Sequence, residues 1–320
     1  MNNEKSKTPP TGKPQSPASA SPAKPLSAPA KPKVNPPPLF RKTDWLAFLI
    51  TFGIIWVAYY LTLAPELTLE DSGELATGSF YAGIPHPPGY PVWTIYTWLW
   101  TLLPIKNIAW RVALGEATGG AIAAGLLGLL VSRGSSLLIE GIEELKAMAG
   151  RWESLICIVS GFVAGALIGF NGFMWSQSVI VEVYAFSVAS FMVVLLCLLR
   201  WIYAPHQRKY LWYALFFHGI CFTNHQTLIV AAMGIEIAIA AADFRMGLQL
   251  FLGNSVIYLA GLILKERHIL TALEQNNAIF IIFNVVGVGS MIAYLWFTIL
   301  TRETFPELCR DACWAAFSFF

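Results

Sequence analysis

Glu66, Glu70, Asp71 and Glu74 fall within nine residues in the segment APELTLEDSGELATGSFYAGIPHPPGYP (64–91), and His86 follows between Pro85 and Pro87. Acid crowded next to apolar, span-length sequence is costly unless it faces water, a partner or a substrate. A carboxylate in such a place is a usual base for taking a proton from a hydroxyl. Asp71 and Glu74, three apart, can share a helical face, whereas the adjacent Glu70 and Asp71 diverge by about 100°. The bland alternative is that Asp71 or Ser72 caps a helix starting at Gly73 and Glu74. His86, on a backbone stiffened by proline, either binds an anion, bonds an acid, or is simply an exposed turn residue. Further along, Glu182 sits among apolar neighbours in VIVEVY, where a lone carboxylate needs a partner or a task. Trp175 and Gln177 precede it; the indole either stacks on a sugar ring or anchors in a membrane interface. Asn224 and His225 interrupt an apolar run and either cap helix ends or reach into a site. No Gly-rich phosphate loop, HExxH, GxSxG or zinc-type cysteine pattern is present. Cys309 and Cys313, four apart, have no third ligand near them, so no metal site is expected there.

The elements that must position these groups are membrane helices. Of the 320 residues 56% are hydrophobic and only 12% charged, against about 25% charged in soluble domains. Several apolar runs reach the ~17–25 residues needed to cross a bilayer. An all-α polytopic membrane protein is therefore expected, with about eight transmembrane helices near 45–63, 112–131, 155–171, 183–202, 211–223, 226–242, 247–264 and 278–300. The segment at about 89–105 is bracketed by Pro88, Pro91 and Pro104 and rich in Trp and Tyr. It is expected to lie on the membrane surface, as an interfacial helix in a first external loop spanning 64–111. That choice leaves Arg133, Lys146, Arg151, Arg200, Arg208 and Lys209 on the cytoplasmic side, in keeping with the positive-inside rule. It also gathers the acidic loop, the 170–184 motif and Thr223–Gln226 on the outer face. Residues 1–43, a Pro/Ala/Lys-rich stretch, are expected to be a disordered cytoplasmic tail. Residues 44–303 form the membrane domain, and 304–320 a terminal tail. The 135–154 loop, with Glu140, Glu143, Glu144 and Lys146 at helical spacing, is expected to form a separate surface helix.

Asp71-Ser72-Gly73-Glu74-Leu75 followed by Gly83-Ile84-Pro85-His86-Pro87-Pro88-Gly89-Tyr90-Pro91 resembles the signature of a membrane O-mannosyltransferase-like family. That family includes a eukaryotic protein O-mannosyltransferase and many bacterial relatives. Trp175-Ser176-Gln177-Ser178-Val179-Ile180, Glu182-Val183-Tyr184 and Thr223-Asn224-His225 resemble its later motifs, so the likeness covers roughly residues 45–245. The resemblance implies a GT-C-like helical bundle whose first external loop carries the catalytic acid. It implies a polyprenyl- or dolichyl-phosphate sugar as donor, with no metal or other cofactor required. Carried over by position, Asp71 becomes the base, and His86, Glu182 and His225 become candidates for binding the donor phosphate or shaping the pocket. The full candidate set is then Asp71 and Glu74 as catalytic residues, with Glu70, His86, Trp175, Gln177, Glu182, Tyr184, Asn224 and His225 as substrate- or donor-binding residues. Glu70 stands where a small residue is more typical, and the longer members continue into further spans and often a soluble repeat domain.

Three readings follow. The first is an inverting membrane glycosyltransferase that moves a sugar such as mannose to a hydroxyl, for instance Ser or Thr of an exported protein or an envelope molecule. Its partners would be the lipid bilayer, the lipid-linked sugar and that acceptor, with no nucleic acid. The setting would be a bacterial inner membrane, or the endoplasmic reticulum membrane if the chain is eukaryotic. The second is a transporter or flippase-like carrier, which should show midplane polar groups and repeat symmetry. The third is an inactive, truncated scaffold.

Overall fold

The first long helix, α1 (Lys42–Leu61), starts where the Pro-rich sequence gives way to an apolar run. The Asp44 carboxylate accepts the Arg41 backbone N–H at 2.8 Å and closes the helix start. The computed structural model describes residues 38–301, apart from 69, 88 and 147–150. The expected tails at 1–43 and 304–320, with Cys309 and Cys313, lie almost wholly outside the described residues.

After α1 come two short helices, α2 (Ser72–Phe80) and α3 (Pro91–Thr101), and then the 34-residue α4 (Ile108–Gly141). Asn107 starts α4 by accepting the Trp110 N–H at 2.8 Å. A one-turn helix, α5 (Glu143–Lys146), precedes α6 (Arg151–Gly169), and α7 (Gly172–Ser178) leads to α8 (Tyr184–Tyr203). The chain continues through α9 (Lys209–Asn224), a 3-10 turn at Gln226–Val230, α10 (Ala231–Ala242), α11 (Phe244–Glu266), α12 (Ala272–Gln275) and α13 (Asn277–Thr301). Among the described residues there is no strand.

Helices α1, α4 and α6 pack together through small residues. A methyl group on Gly161 would stand 2.5 Å from the Gly128 carbonyl oxygen, and one on Gly165 would stand 2.6 Å from that of Ala124. Backbone approach this close is how helices associate in lipid, where apolar side chains gain little by leaving the hydrocarbon. Large apolar residues such as Leu49, Leu167, Ile257, Ile263 and Ile292 remain exposed on the outside of the bundle, as a bilayer requires.

Among the described residues, six helices are long and apolar enough to cross a membrane: α1, α4, α6, α8, α11 and α13. The eight expected crossings thus resolve into these six plus α9 and α10, of 16 and 12 residues. α9 nevertheless runs the length of α8. At one end the Tyr184 and His225 rings lie 5.1 Å apart, and at the other the Arg200 guanidinium sits 5.2 Å from the Tyr210 ring. The 11-residue α3 is about 16 Å long, too short to span the ~30 Å core, and it lies against α4. The surface helix expected at 135–154 does not form as a separate unit. α4 runs on to Gly141, because Arg133, buried in the bundle, bonds Ser136 and Glu140 along the same helix.

Candidate functional site

The first loop is stitched to the segment before α8. The Ala64 N–H donates to the Val179 carbonyl at 2.9 Å, and the Ser72 hydroxyl donates to that of Val181 at 3.2 Å. These bonds bring Glu182 to the start of α2. Asp71 occupies the N-cap position of α2, yet its side chain makes no capping hydrogen bond. Its carboxylate instead lies 3.9 Å from His86 Nε2 and is 60% exposed.

Glu74, one turn on, holds His86 twice. Its Oε1 accepts the His86 backbone N–H at 2.6 Å, and its Oε2 lies 3.2 Å from Nδ1. The Tyr90 hydroxyl is 3.1 Å from Nε2 and completes the ring's surroundings. Asp71 and Glu74 therefore do share a face, directed at one imidazole. The ligand atoms of Asp71, Glu74 and His86 all lie within 4.8 Å of one another, which is compact enough to gather a divalent cation. Glu70 and Tyr90 adopt left-handed backbone conformations, φ 68° and φ 43°, that side-chain-bearing residues rarely hold. Such strained positions persist only where surrounding contacts impose them.

Glu182 is 5% exposed. Burial, helped by the neighbouring Glu70 and Asp71 and opposed by the Val183 N–H that bonds it, pushes its carboxyl up to about 7. A side-chain hydrogen bond joins it to Glu70. Burial also raises the Tyr90 phenol, helped by Tyr184, Glu182, Asp71 and Glu74. The Tyr184 ring bridges to His225, whose imidazole is kept below its ordinary value by burial. The arrangement can take a proton from a hydroxyl at Asp71 while His86 is held by Glu74, with a protonatable Glu182 across the site.

Other expected residues fall elsewhere. The Trp175 indole N–H donates to Thr62 Oγ1 at 2.9 Å, and its ring packs between Tyr59 and Phe170, so its contacts run to the ends of α1 and α6. Gln177 is buried in α7 with its carbonyl oxygen unpartnered. Asn224 is fully buried at the end of α9, with its amide nitrogen unpartnered. A cleft of about 510 Å³ opens on the far face of α2, lined by Gly73, Thr77, Phe80 and Glu66 and by Asn107 at the start of α4. It is separate from the face that carries Asp71 and Glu74.

Sequence reading missed two residues. Tyr90 is four residues from His86 and was visible only as one aromatic among many. Glu116, fully buried in α4, accepts the Trp93 indole N–H at 2.7 Å. A lone acid inside an apolar span was the available signal.

Residues 71–246 match the family described as the protein O-mannosyl-transferase TMEM260 N-terminal domain. The chain is 35% identical over 108 residues to the mouse protein O-mannosyl-transferase TMEM260, covering 32% of this chain and 15% of that protein. It is 26% identical over 89 residues to a Dictyostelium discoideum protein of the same name, covering 27% and 11%. No solved structure matches.

Proposed function

The chain belongs to the TMEM260 N-terminal-domain family, and from that premise we propose that it is a multi-pass membrane glycosyltransferase with an O-mannosyltransferase-like activity. The matched stretches span 15% and 11% of the two relatives, so the activity named for those proteins comes to this chain as a proposal. The observation that carries it is the meeting of Asp71, Glu74, His86, Tyr90 and Glu182 around the start of α2, with Asp71 exposed and making no capping bond.

In this reading a hydroxyl, such as Ser or Thr of an exported protein or an envelope molecule, approaches Asp71. Asp71 takes its proton as the oxygen attacks the anomeric carbon of a polyprenyl- or dolichyl-phosphate sugar. The new glycosidic bond forms with inversion as the bond to the lipid phosphate breaks, and the phosphate leaves with the electron pair. Glu74 fixes the imidazole of His86, which faces the leaving phosphate. Glu182 in its protonated form adds no negative charge near that phosphate, and Tyr184 and His225 wall the pocket. The site lies on the outer face in a GT-C-like bundle, and no metal is required. Transfer that persists in EDTA supports the metal-free form of the mechanism; loss restored by a divalent cation would instead assign the Asp71–Glu74–His86 group to that ion.

The deciding experiment incubates purified protein with polyprenyl-phosphate mannose and Ser/Thr peptides, comparing wild type with Asp71→Asn. The expected result is transfer by wild type and a loss on the order of 10²–10⁴-fold in the variant. Full transfer by Asp71→Asn removes Asp71 from the role of base.

A further inference from the structure

Glu116 is a fully buried carboxylate that the proposed transfer does not use. Its two oxygens serve two different elements. Oε1 accepts the indole N–H of Trp93, the third residue of α3, at 2.7 Å. Oε2 accepts the backbone N–H of Phe186, the third residue of α8, at 3.3 Å. The Phe186 N–H is one of the first-turn donors that a helix cannot satisfy internally. Glu116 thus caps α8 from a neighbouring helix while it pins α3.

Each pinned element carries one half of the site. Three residues before Trp93 is Tyr90, whose hydroxyl meets His86. Four and two residues before Phe186 are Glu182 and Tyr184. The Glu116 and Glu182 carboxyls also lie within electrostatic reach of each other. We propose that Glu116 is a positioning residue that sets the spacing between the His86–Tyr90 half and the Glu182–Tyr184 half. The kinetic part of this inference rests on the glycosyl-transfer reading; the structural part does not.

A carboxylate suits the task because it offers an acceptor oxygen to each donor, and nothing else. Glutamine has one acceptor oxygen, so it keeps Trp93 or Phe186 but turns an N–H₂ toward the other. Independent contacts hold the same seam in a Glu116 variant. The Tyr96 hydroxyl donates to the Gly115 carbonyl at 2.7 Å, and the Tyr96 ring stacks on Phe186 at 4.5 Å. Glu116→Gln is therefore expected to fold with the two halves misaligned.

The test uses the full chain in nanodiscs, as wild type, Glu116→Gln, Glu116→Ala and Trp93→Phe/Glu116→Gln. Spin labels in a background without native cysteines replace the exposed Ile84, beside His86, and the exposed Ser176 of α7. Their separation is measured without substrate, and transfer is followed with polyprenyl-phosphate mannose and a Ser/Thr peptide. The expected result for Glu116→Gln is a shifted or broadened label distance, with kcat lower by about tenfold to a hundredfold. KM stays within about twofold and thermal unfolding stays near wild type, while adding Trp93→Phe costs little more, because both changes break one arrangement. A label distance identical to wild type in both Glu116→Gln and Glu116→Ala overturns the proposal, whether or not transfer is seen. So does a variant that melts earlier yet keeps wild-type kcat, since that is a purely structural role. Wild-type protein without transfer counts against the glycosyl-transfer reading alone, and the label distances then decide the role of Glu116.

Discussion

The two ends of the α1–α4–α6 bundle hold charge in opposite ways. At the start of α1, Asp44 is fully buried and fully answered: it accepts the Arg41 N–H and the Ser132 hydroxyl at 2.6 Å. Arg41 goes on to Glu153 at 2.5 Å and tips toward Cys157 Sγ. At the other end Glu70, Asp71, Glu74 and Glu182 converge with His86 as the ring between them, and Glu182 is pushed up to about 7 by burial and by its acidic neighbours. At the start of α1 a single arginine shared by two carboxylates fastens three helices together, whereas the acid-rich end leaves charge available to a substrate or a proton. The same residue types therefore carry different work according to whether their partners are complete.

Swapping equivalent changes between the two ends gives the sharpest test. Asp71→Asn should cost on the order of 10²–10⁴ in kcat with unfolding near wild type. Asp44→Asn should instead cost about 1–3 kcal/mol of stability and leave kcat intact in protein that stays folded. Thermal scans beside the transfer assay separate the two; an Asp44→Asn chain of normal stability but no turnover would erase the contrast.

A smaller effect concerns pH. Glu182 binds its proton more tightly when folded, at about 7 rather than 4.5. Between those values the folded chain keeps a proton that the unfolded chain has released, so stability falls as pH rises through that window. Melting temperatures at about pH 5 and about pH 8 should show the decline, and Glu182→Gln, which stays neutral, should flatten it. An unchanged slope in the variant would assign the decline to other groups.

Least affected should be the pair of Lys146 and Glu143 on α5, which is exposed on both sides. Lys146→Ala is expected to change stability by no more than about 0.5 kcal/mol, because solvent screens such pairs. Denaturant titration would check this, and a larger loss would give α5 a share in holding the lower end.

Much of the acidic end was legible in the sequence because it is written in local, unusual residues. The acids, the His86 turn, Glu182 and His225 all stand out against apolar surroundings, and the prolines around 89–105 limited α3 to less than a span. What was not legible depends on distant pairing. Trp175 reads as a sugar platform or a membrane anchor until Thr62, 113 residues away, is seen to take its N–H. Glu116 reads as one polar residue in a long helix until Trp93 and Phe186 arrive from two others. The continuation of α4 to Gly141 was hidden for a related reason, since Arg133 and Glu140 satisfy each other along the helix instead of ending it.

The side chain that Asp71 withholds from the start of α2 has a further consequence. A capping side chain is worth about 0.5–2 kcal/mol to a helix, and Asp71 withholds its own. The first turn of that short helix therefore leans on its tertiary ties, Ser72 to the Val181 carbonyl and Glu74 to His86, and cutting those ties should loosen it before the glycine-packed helices part. Breaking either tie should disarm this corner while most of the architecture still stands.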